Sequence, residues 1–248
     1  MTTAIGLSDL PLLKGMAAAS RARLLESAVL HSVAAGAILF EQGEVPNFQY
    51  VALSGSVHLF GRSSEGREVL IEVVAPPELV IPAAVMTAAP YLMQARVPEA
   101  SRLLLIQAAA FRAAVLQEPA LAQAVIAGLS GQFRRMVRQI KNLKLRSSVQ
   151  RVGCYILDLS RRQGTPERAI LPYEKNLIAS KLGITRESFS RALSVLQAEG
   201  IAVQAETIVI LDAGRLAAAS GPDPLIDGPD EALVGASPPN RHRARSKI

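Results

Sequence analysis

Residues 175–194 read KNLIASKLGITRESFSRALS. Apolar residues fall at Leu177, Ile178, Leu182, Ile184, Phe189, Ala192 and Leu193, the spacing of two short helices joined by a tight turn. Ala179 lies four residues before Gly183. The small side chain lets the two helices cross closely, and the glycine supplies the positive φ that such a turn demands. Thr185 is a natural N-cap for the second helix, with Glu187 and Ser188 in its first turn. The pattern predicts a helix–turn–helix. An ordinary αα-hairpin of an enzyme shares the two helices, but not the small residue, the glycine and the apolar register together.

In such a motif the second helix enters the major groove of DNA, and its N-terminal residues meet base edges. Here those residues are Thr185, Arg186, Glu187, Ser190 and Arg191. Positions 186, 187, 190 and 191 share one helical face. An arginine can donate two hydrogen bonds to guanine, and a glutamate can accept one from the cytosine amino group. Phosphate repels a carboxylate, so Glu187 between two arginines points to direct base readout. The bland alternative is a surface Glu–Arg pair of i, i+4 spacing, worth a few tenths of a kcal/mol.

The surrounding charge agrees. Residues 130–200 carry 14 Lys/Arg against 5 Asp/Glu, whereas residues 1–129 carry 8 against 10. One internal basic block implies a polyanion partner for that block, or else a solvated helix face. Downstream, Ile201–Gln204 and Thr207–Leu211 read as a short hairpin, which makes the unit a winged helix. Its turn, Ala205-Glu206, lacks a basic residue for a phosphate. Residues 216–248 are expected to form a flexible tail. Within it, residues 220–240 are rich in Gly, Pro and acids, and residues 241–247 form a short basic run.

Upstream, a helix is expected from Glu118 or Pro119 to about Arg146. Ile126, Leu129, Phe133, Met136, Ile140 and Leu143 alternate in spacings of 3 and 4, a narrow seam suited to a two-stranded coiled coil. Leu121, Val125 and Val137 widen that stripe, so packing on the chain's own domain is the competing reading. A further helix, Ser148–Arg162, leads to the winged unit. Before the long helix the texture is that of short strands parted by turn residues: Val29–Val33, Ile38–Phe40, Tyr50–Leu53, Val57–Phe60 and Val69–Val74, with a last strand at Arg102–Ile106. That spacing predicts a small jelly roll. Short helices are expected over residues 8–30, with Ser20 as a cap, and at Ala108–Gln117; residues 82–98 read as a short helix and then a strand near Leu92–Val97.

Composition narrows the chemistry. The 248 residues are half apolar but only 4% aromatic, so the core is aliphatic. The single cysteine, Cys154, excludes a disulfide framework or a four-cysteine cluster within one chain. The three histidines stand at 31, 58 and 242 with no His-x-His pair, which argues against a cupin-like metal enzyme built on the roll. No apolar run is long enough to span a bilayer, and no secretory leader is apparent, so a cytoplasmic protein with no membrane partner is expected.

Over residues 20–215 the chain resembles the CRP/FNR family of bacterial transcription regulators. The resemblance rests on Gly36-Ala37-Ile38-Leu39 followed by Gly43-Glu44, on Tyr50-Val51, Gly55-Ser56-Val57 and Gly66-Arg67-Glu68, on the long seam, and on Thr185-Arg186-Glu187-Ser188-Phe189-Ser190-Arg191. It implies an α+β architecture in four parts: a cyclic-nucleotide-binding-type β-roll over 1–117, a dimerisation helix over 118–146, a winged helix–turn–helix over 147–215 and the tail. It implies no enzyme, but a homodimer on a palindromic operator, with RNA polymerase as a further partner of an activator. Glu187, Ser190 and Arg191 match the FNR-type recognition helix, which reads TTGAT-like half-sites, while Arg186 is closer to the cyclic-AMP branch. That branch carries Gly-Glu followed by Arg-Ser or Arg-Thr in its phosphate cassette. The corresponding stretch, Val80-Ile81-Pro82-Ala83 through Met93-Gln94, has no such pair, and Arg96 is out of register. Cyclic AMP would lose its bidentate partner. The cassette-free roll is similar to the cysteine-cluster-free subgroup that includes nitric-oxide-responsive denitrification regulators. In that subgroup haem is an option, for sensing nitric oxide or CO, and His31, His58 and Cys154 are the candidate axial ligands. A cyclic-nucleotide-responsive regulator is the other alternative. No effector residue, metal site or cofactor is assigned.

Overall fold

A computed structural model describes residue 7 and residues 10–228. After a 3-10 turn, Pro11–Leu13, helix α1 spans Ala18–Glu26. Eight strands follow: β1 (Ala28–Val33), β2 (Ile38–Phe40), β3 (Phe48–Ser54), β4 (Val57–Arg62), β5 (Glu68–Val74), β6 (Leu79–Val80), β7 (Gln94–Arg96) and β8 (Ser101–Gln107), with the short helix α2 (Pro82–Thr87) between β6 and β7. They form two antiparallel four-stranded sheets, ordered β1-β8-β3-β6 and β2-β7-β4-β5. Alternation along the strands explains the layering. Ala52 and Leu103 point between the sheets, where they meet Val57, Leu59, Phe40, Tyr91 and Ala95. Their neighbours Val51, Leu53, Leu104 and Ile106 point the other way, into a second core with Leu24, Phe111 and Leu121 of the helices.

Helix α3 (Ala108–Gln117) leads at a bend of 112° into α4 (Pro119–Leu145), a helix of 27 residues. Leu121 and Val125 fasten its first turns to the roll. Further along, Gln132 donates to the Leu79 carbonyl at 3.1 Å, Arg135 pairs with Glu78 at 2.8 Å, and Gln139 donates to the Ile71 carbonyl at 3.2 Å. The helix thus lies along β5 and β6. No single helix among the described residues is long and apolar enough to cross a membrane.

Arg146 leaves the helical conformation, and Ser147 starts α5 (Ser148–Arg162) with a reciprocal Ser147–Gln150 capping box. The head then runs β9 (Arg168–Ile170), α6 (Lys175–Lys181), α7 (Arg186–Gln197), β10 (Ile201–Gln204), β11 (Thr207–Ile210), α8 (Ala213–Ser220) and α9 (Pro224–Asp227). Its three strands order β10-β11-β9 around a core of Val152, Ile156, Ile178, Phe189, Leu196 and Ile208.

Two sequence expectations need correction. Ser20 does not cap a helix: α1 begins at Ala18, after buried Met16 and an Ala17 N-cap that offers no side-chain hydrogen bond, so Ser20 falls inside the first turn, where it accepts a hydrogen bond from Arg23. The segment expected to be flexible from residue 216 is ordered to residue 228, since Leu216 and Ser220 of α8 are fully buried and α9 is held by arginines. The rest of that acidic stretch and the basic run at 241–247 lie outside the described residues.

Candidate nucleic-acid interface

The two helices of the motif are α6 and α7. Ala179 is buried, Gly183 adopts φ 63°, and the Ile184 N–H donates to the Ala179 carbonyl at 3.0 Å. The turn is also held from outside. Arg151 of α5 donates to the carbonyls of Leu182 and Gly183 at 2.8 and 3.2 Å. A Cβ on Gly183 would lie 2.4 Å from Leu143 Cδ2. Arg151 was not readable from the sequence, because its partners lie 31 residues away and accept through their backbone.

Thr185 caps α7 as expected, accepting from the Ser188 N–H at 3.2 Å. Phe189, Ala192, Leu193 and Leu196 turn into the head core. The opposite face therefore presents Arg186, Glu187, Ser190 and Arg191 to solvent, so the structure brings all four together beside exposed Thr185. Its own backbone N–H at the helix start, then the Thr185 hydroxyl, and lastly Arg186 and Arg191 hold the Glu187 carboxyl below its ordinary value. The face presents arginine donors on either side of a carboxylate acceptor.

Much of the basic block is spent inside the molecule. Arg135 pairs with Glu72 and Glu78, Arg146 with Asp227, and Arg161 and Arg162 with Asp158. Lys181 lies 5.9 Å above the Tyr155 ring, and burial pushes its pKa down. The charge count alone thus overstated the cation density available to a polyanion. The recognition face does not share that loss, since both its arginines are exposed.

The seam of α4 is largely open. Ile126 is 62% exposed, Phe133 61%, Met136 50%, Ile140 44% and Leu143 39%. Leu129, expected in the same seam, packs partly against the roll. Leu143 also covers the turn at Gly183.

None of the three candidate axial ligands offers a haem pocket. His31 is exposed on the edge strand β1. His58 is buried, edge-on to Tyr173 at 5.4 Å. Cys154 donates to the Ser220 carbonyl, and burial pushes its thiol up to about 11, which leaves it a weak ligand and a poor redox centre. No group of three or more His, Cys, Asp or Glu among the described residues could hold a metal ion.

Comparison with known proteins covers both ends of this architecture. The cyclic nucleotide-binding domain family matches residues 30–118, and the Crp-like helix-turn-helix domain family matches residues 150–219. The CRP-like cAMP-activated global transcriptional regulator of Mycobacterium tuberculosis is 26% identical over 187 residues, 73% of this chain and 84% of that protein. The nitrogen fixation regulation protein FixK of Azorhizobium caulinodans is 27% identical over 167 residues, 65% of this chain and 66% of that protein. Among solved structures, the c-di-GMP responsive global regulator CLP of Xanthomonas campestris superposes with a TM-score of 0.67 at 20% identity, covering 79% of this chain and all of that one. FixK2 of Bradyrhizobium japonicum does so with a TM-score of 0.63 at 21% identity, covering 77% and 96%.

Proposed function

Since the chain belongs to the CRP/FNR family of transcription regulators, we propose that it acts as a homodimer that reads a palindromic, TTGAT-like operator in the cytoplasm, without cyclic AMP as its effector. The observation that carries this reading is the exposed face Arg186-Glu187-Ser190-Arg191 on a helix fixed by the Thr185 cap and the Arg151 clamp. Thr185, Arg186, Glu187, Ser190 and Arg191, at the start of this helix, are the residues that would meet the base edges. The Glu-x-x-Ser-Arg spacing is the ground for the TTGAT half-site. Ile126, Phe133, Met136, Ile140 and Leu143, with Leu129 shared between seam and roll, would pair two copies so that two heads meet two half-sites. An activator of this form has RNA polymerase as its next partner.

The doubt over cyclic AMP has a geometric basis. Arg96 is the arginine next to the cassette stretch in sequence, but Ala95 beside it faces the roll interior, so Arg96 faces outward. There it bonds Glu68 at 3.3 Å and Gln94 at 2.6 Å and stacks over Phe60. Arg112, which reaches the stretch from helix α3, is spent on the Val85 carbonyl at 3.0 Å. Inside, Tyr91 is 2% exposed and stacks on Phe40 with centroids 3.6 Å apart. An anion entering the roll would meet stacked rings and no buried cation of this stretch.

The test is a titration of the purified protein, as isolated, with a TTGAT-NNNN-ATCAA duplex and a scrambled duplex, with and without cyclic AMP. The expected result is selective binding that cyclic AMP leaves unchanged. Arg191→Ala should weaken the specific duplex by ~1–3 kcal/mol and leave the scrambled one little affected. Equal loss on both would refute base reading, and a cyclic-AMP requirement would refute the effector reading. A haem band in the absorption spectrum of the same sample would favour the gas-sensing alternative.

A further inference from the structure

Arg146 stands at the break between α4 and α5, with its side chain only 5% exposed. Burial makes an unpaired guanidinium costly, so something must meet it. The carboxylate that does so is Asp227, which takes both terminal nitrogens, one of them at 2.8 Å. The same residue uses its backbone carbonyl to accept from Arg161 of α5 at 2.7 Å. Around it, Lys141 of α4 approaches Asp223 at 3.6 Å, Arg138 donates to the Gly228 carbonyl at 3.4 Å, and Arg146 reaches the Gly221 carbonyl at 3.4 Å. The segment is braced internally, since the Asp223 N–H donates to Asp227 Oδ2 at 2.8 Å. Burial works against the charged form of Asp227, but Arg146, the Asp223 N–H and Arg161 outweigh it and hold the carboxyl below its ordinary value. Residues 221–228 lie past the last residue of the matched helix–turn–helix domain, so these contacts are an addition to that domain.

We propose that Gly221–Gly228 is a strap that fixes the angle between the long helix and the head, and thereby sets the half-site spacing the dimer accepts. The strap grips the hinge from both sides at once: Arg138, Lys141 and Arg146 belong to α4 and its end, and Arg161 belongs to α5. With the strap released, the break keeps the Arg146-Ser147 link and the contact of Leu143 with the turn at Gly183, neither of which ties α4 to α5 by a hydrogen bond or ion pair across it. The spacing half of the proposal rests on the dimeric, DNA-reading function above. One added base pair turns a half-site by about 35° around the duplex axis, so only a stiff hinge discriminates between neighbouring spacings.

The experiment compares the full-length chain with Asp227→Asn, Asp223→Asn and the conservative Asp227→Glu. Its first readout needs no DNA: the rate of tryptic cleavage at the Arg146–Ser147 bond, followed by mass spectrometry. Protection by the strap predicts cleavage about tenfold faster in Asp227→Asn, with partial protection kept in Asp227→Glu. Asp223→Asn loosens only the outer end and should give a smaller rise, which separates release of the hinge from general unfolding. The second readout is affinity for palindromes whose half-sites stand four, five or six base pairs apart. The parent chain should prefer one spacing by about tenfold, and Asp227→Asn should level that preference while still binding. An unchanged cleavage rate overturns the strap, whatever the DNA result. A loosened hinge with unchanged spacing preference overturns its role in spacing. If the parent chain binds none of the duplexes, the operator reading has failed, and the cleavage rates still decide the strap.

Discussion

His58 lies where the roll meets the head. It is 2% exposed, its Nε2 has no hydrogen-bond partner among the described residues, and the Tyr173 ring stands edge-on at 5.4 Å. Burial, then the Lys181 ammonium, push its pKa below the ordinary value, against a smaller pull from Glu99; Arg96 faces it across the strand pair β4–β7. The unfolded chain therefore binds a proton at a higher pH than the folded one does. Stability from this site is complete above the ordinary histidine value, about 6.5, and is lost as pH falls from there through the depressed folded value. The thermal midpoint should accordingly drop between about pH 7.5 and 5.5, and His58→Gln should flatten that slope. Equal slopes in the two proteins would show that His58 is not the group responsible. Position 58 was visible in the sequence only as a histidine on a strand with apolar neighbours. Tyr173, which stands against its ring, is 115 residues away, and no local pattern encodes that contact.

At the scale of elements, α5 and α8 cross at Gly153 and Ser220. A Cβ on Gly153 would lie 1.9 Å from Ser220 Oγ and 2.9 Å from Ser220 Cβ. Ser220 has little room to yield, because its hydroxyl bonds the Leu216 carbonyl and its own carbonyl takes the Cys154 S–H. Gly153→Ala should therefore destabilise the head by ~1–3 kcal/mol, although alanine favours helices, and chemical denaturation would read the loss. A neutral or stabilising result would mean that α8 can slide aside. This crossing also shows what the sequence could and could not convey. The helix–turn–helix was legible because Ala179, Gly183 and Thr185 obey rules that act within one or two turns. The roll was legible from apolar runs between glycines. Helix α8 and the strap were not, because their order depends on Gly153, Arg146 and Arg161, which lie 66 to 81 residues upstream. A Gly- and Pro-rich stretch reads as mobile until its distant partners are known.

The whole molecule joins a roll and a head through one long helix and a small direct contact. Beside the His58–Tyr173 pair, that contact includes a hydrogen bond from the Leu70 N–H to Ser180 Oγ at 2.9 Å, on the open side of edge strand β5. Beside it, Arg67, Glu68 and Val69 with Asn176, Ser180, Gly183 and Ile184 line a cleft of about 190 Å³. The apolar seam of α4 runs between these parts and has large side chains open to water, which a second copy would cover. Ile126→Asp combined with Ile140→Asp should give monomers that lose operator binding, as read by light scattering and titration. A dimer that survived both changes would exclude the seam. Leu143 is the less informative place to test, since it also supports the turn at Gly183. The Tyr173 contact has an optical consequence. The chain contains no tryptophan, so Tyr173→Trp would carry the sole indole, set between roll and head. Its emission would stay blue while the two parts touch and shift red as water reaches the ring, giving a readout of their separation with no competing signal from the rest of the chain.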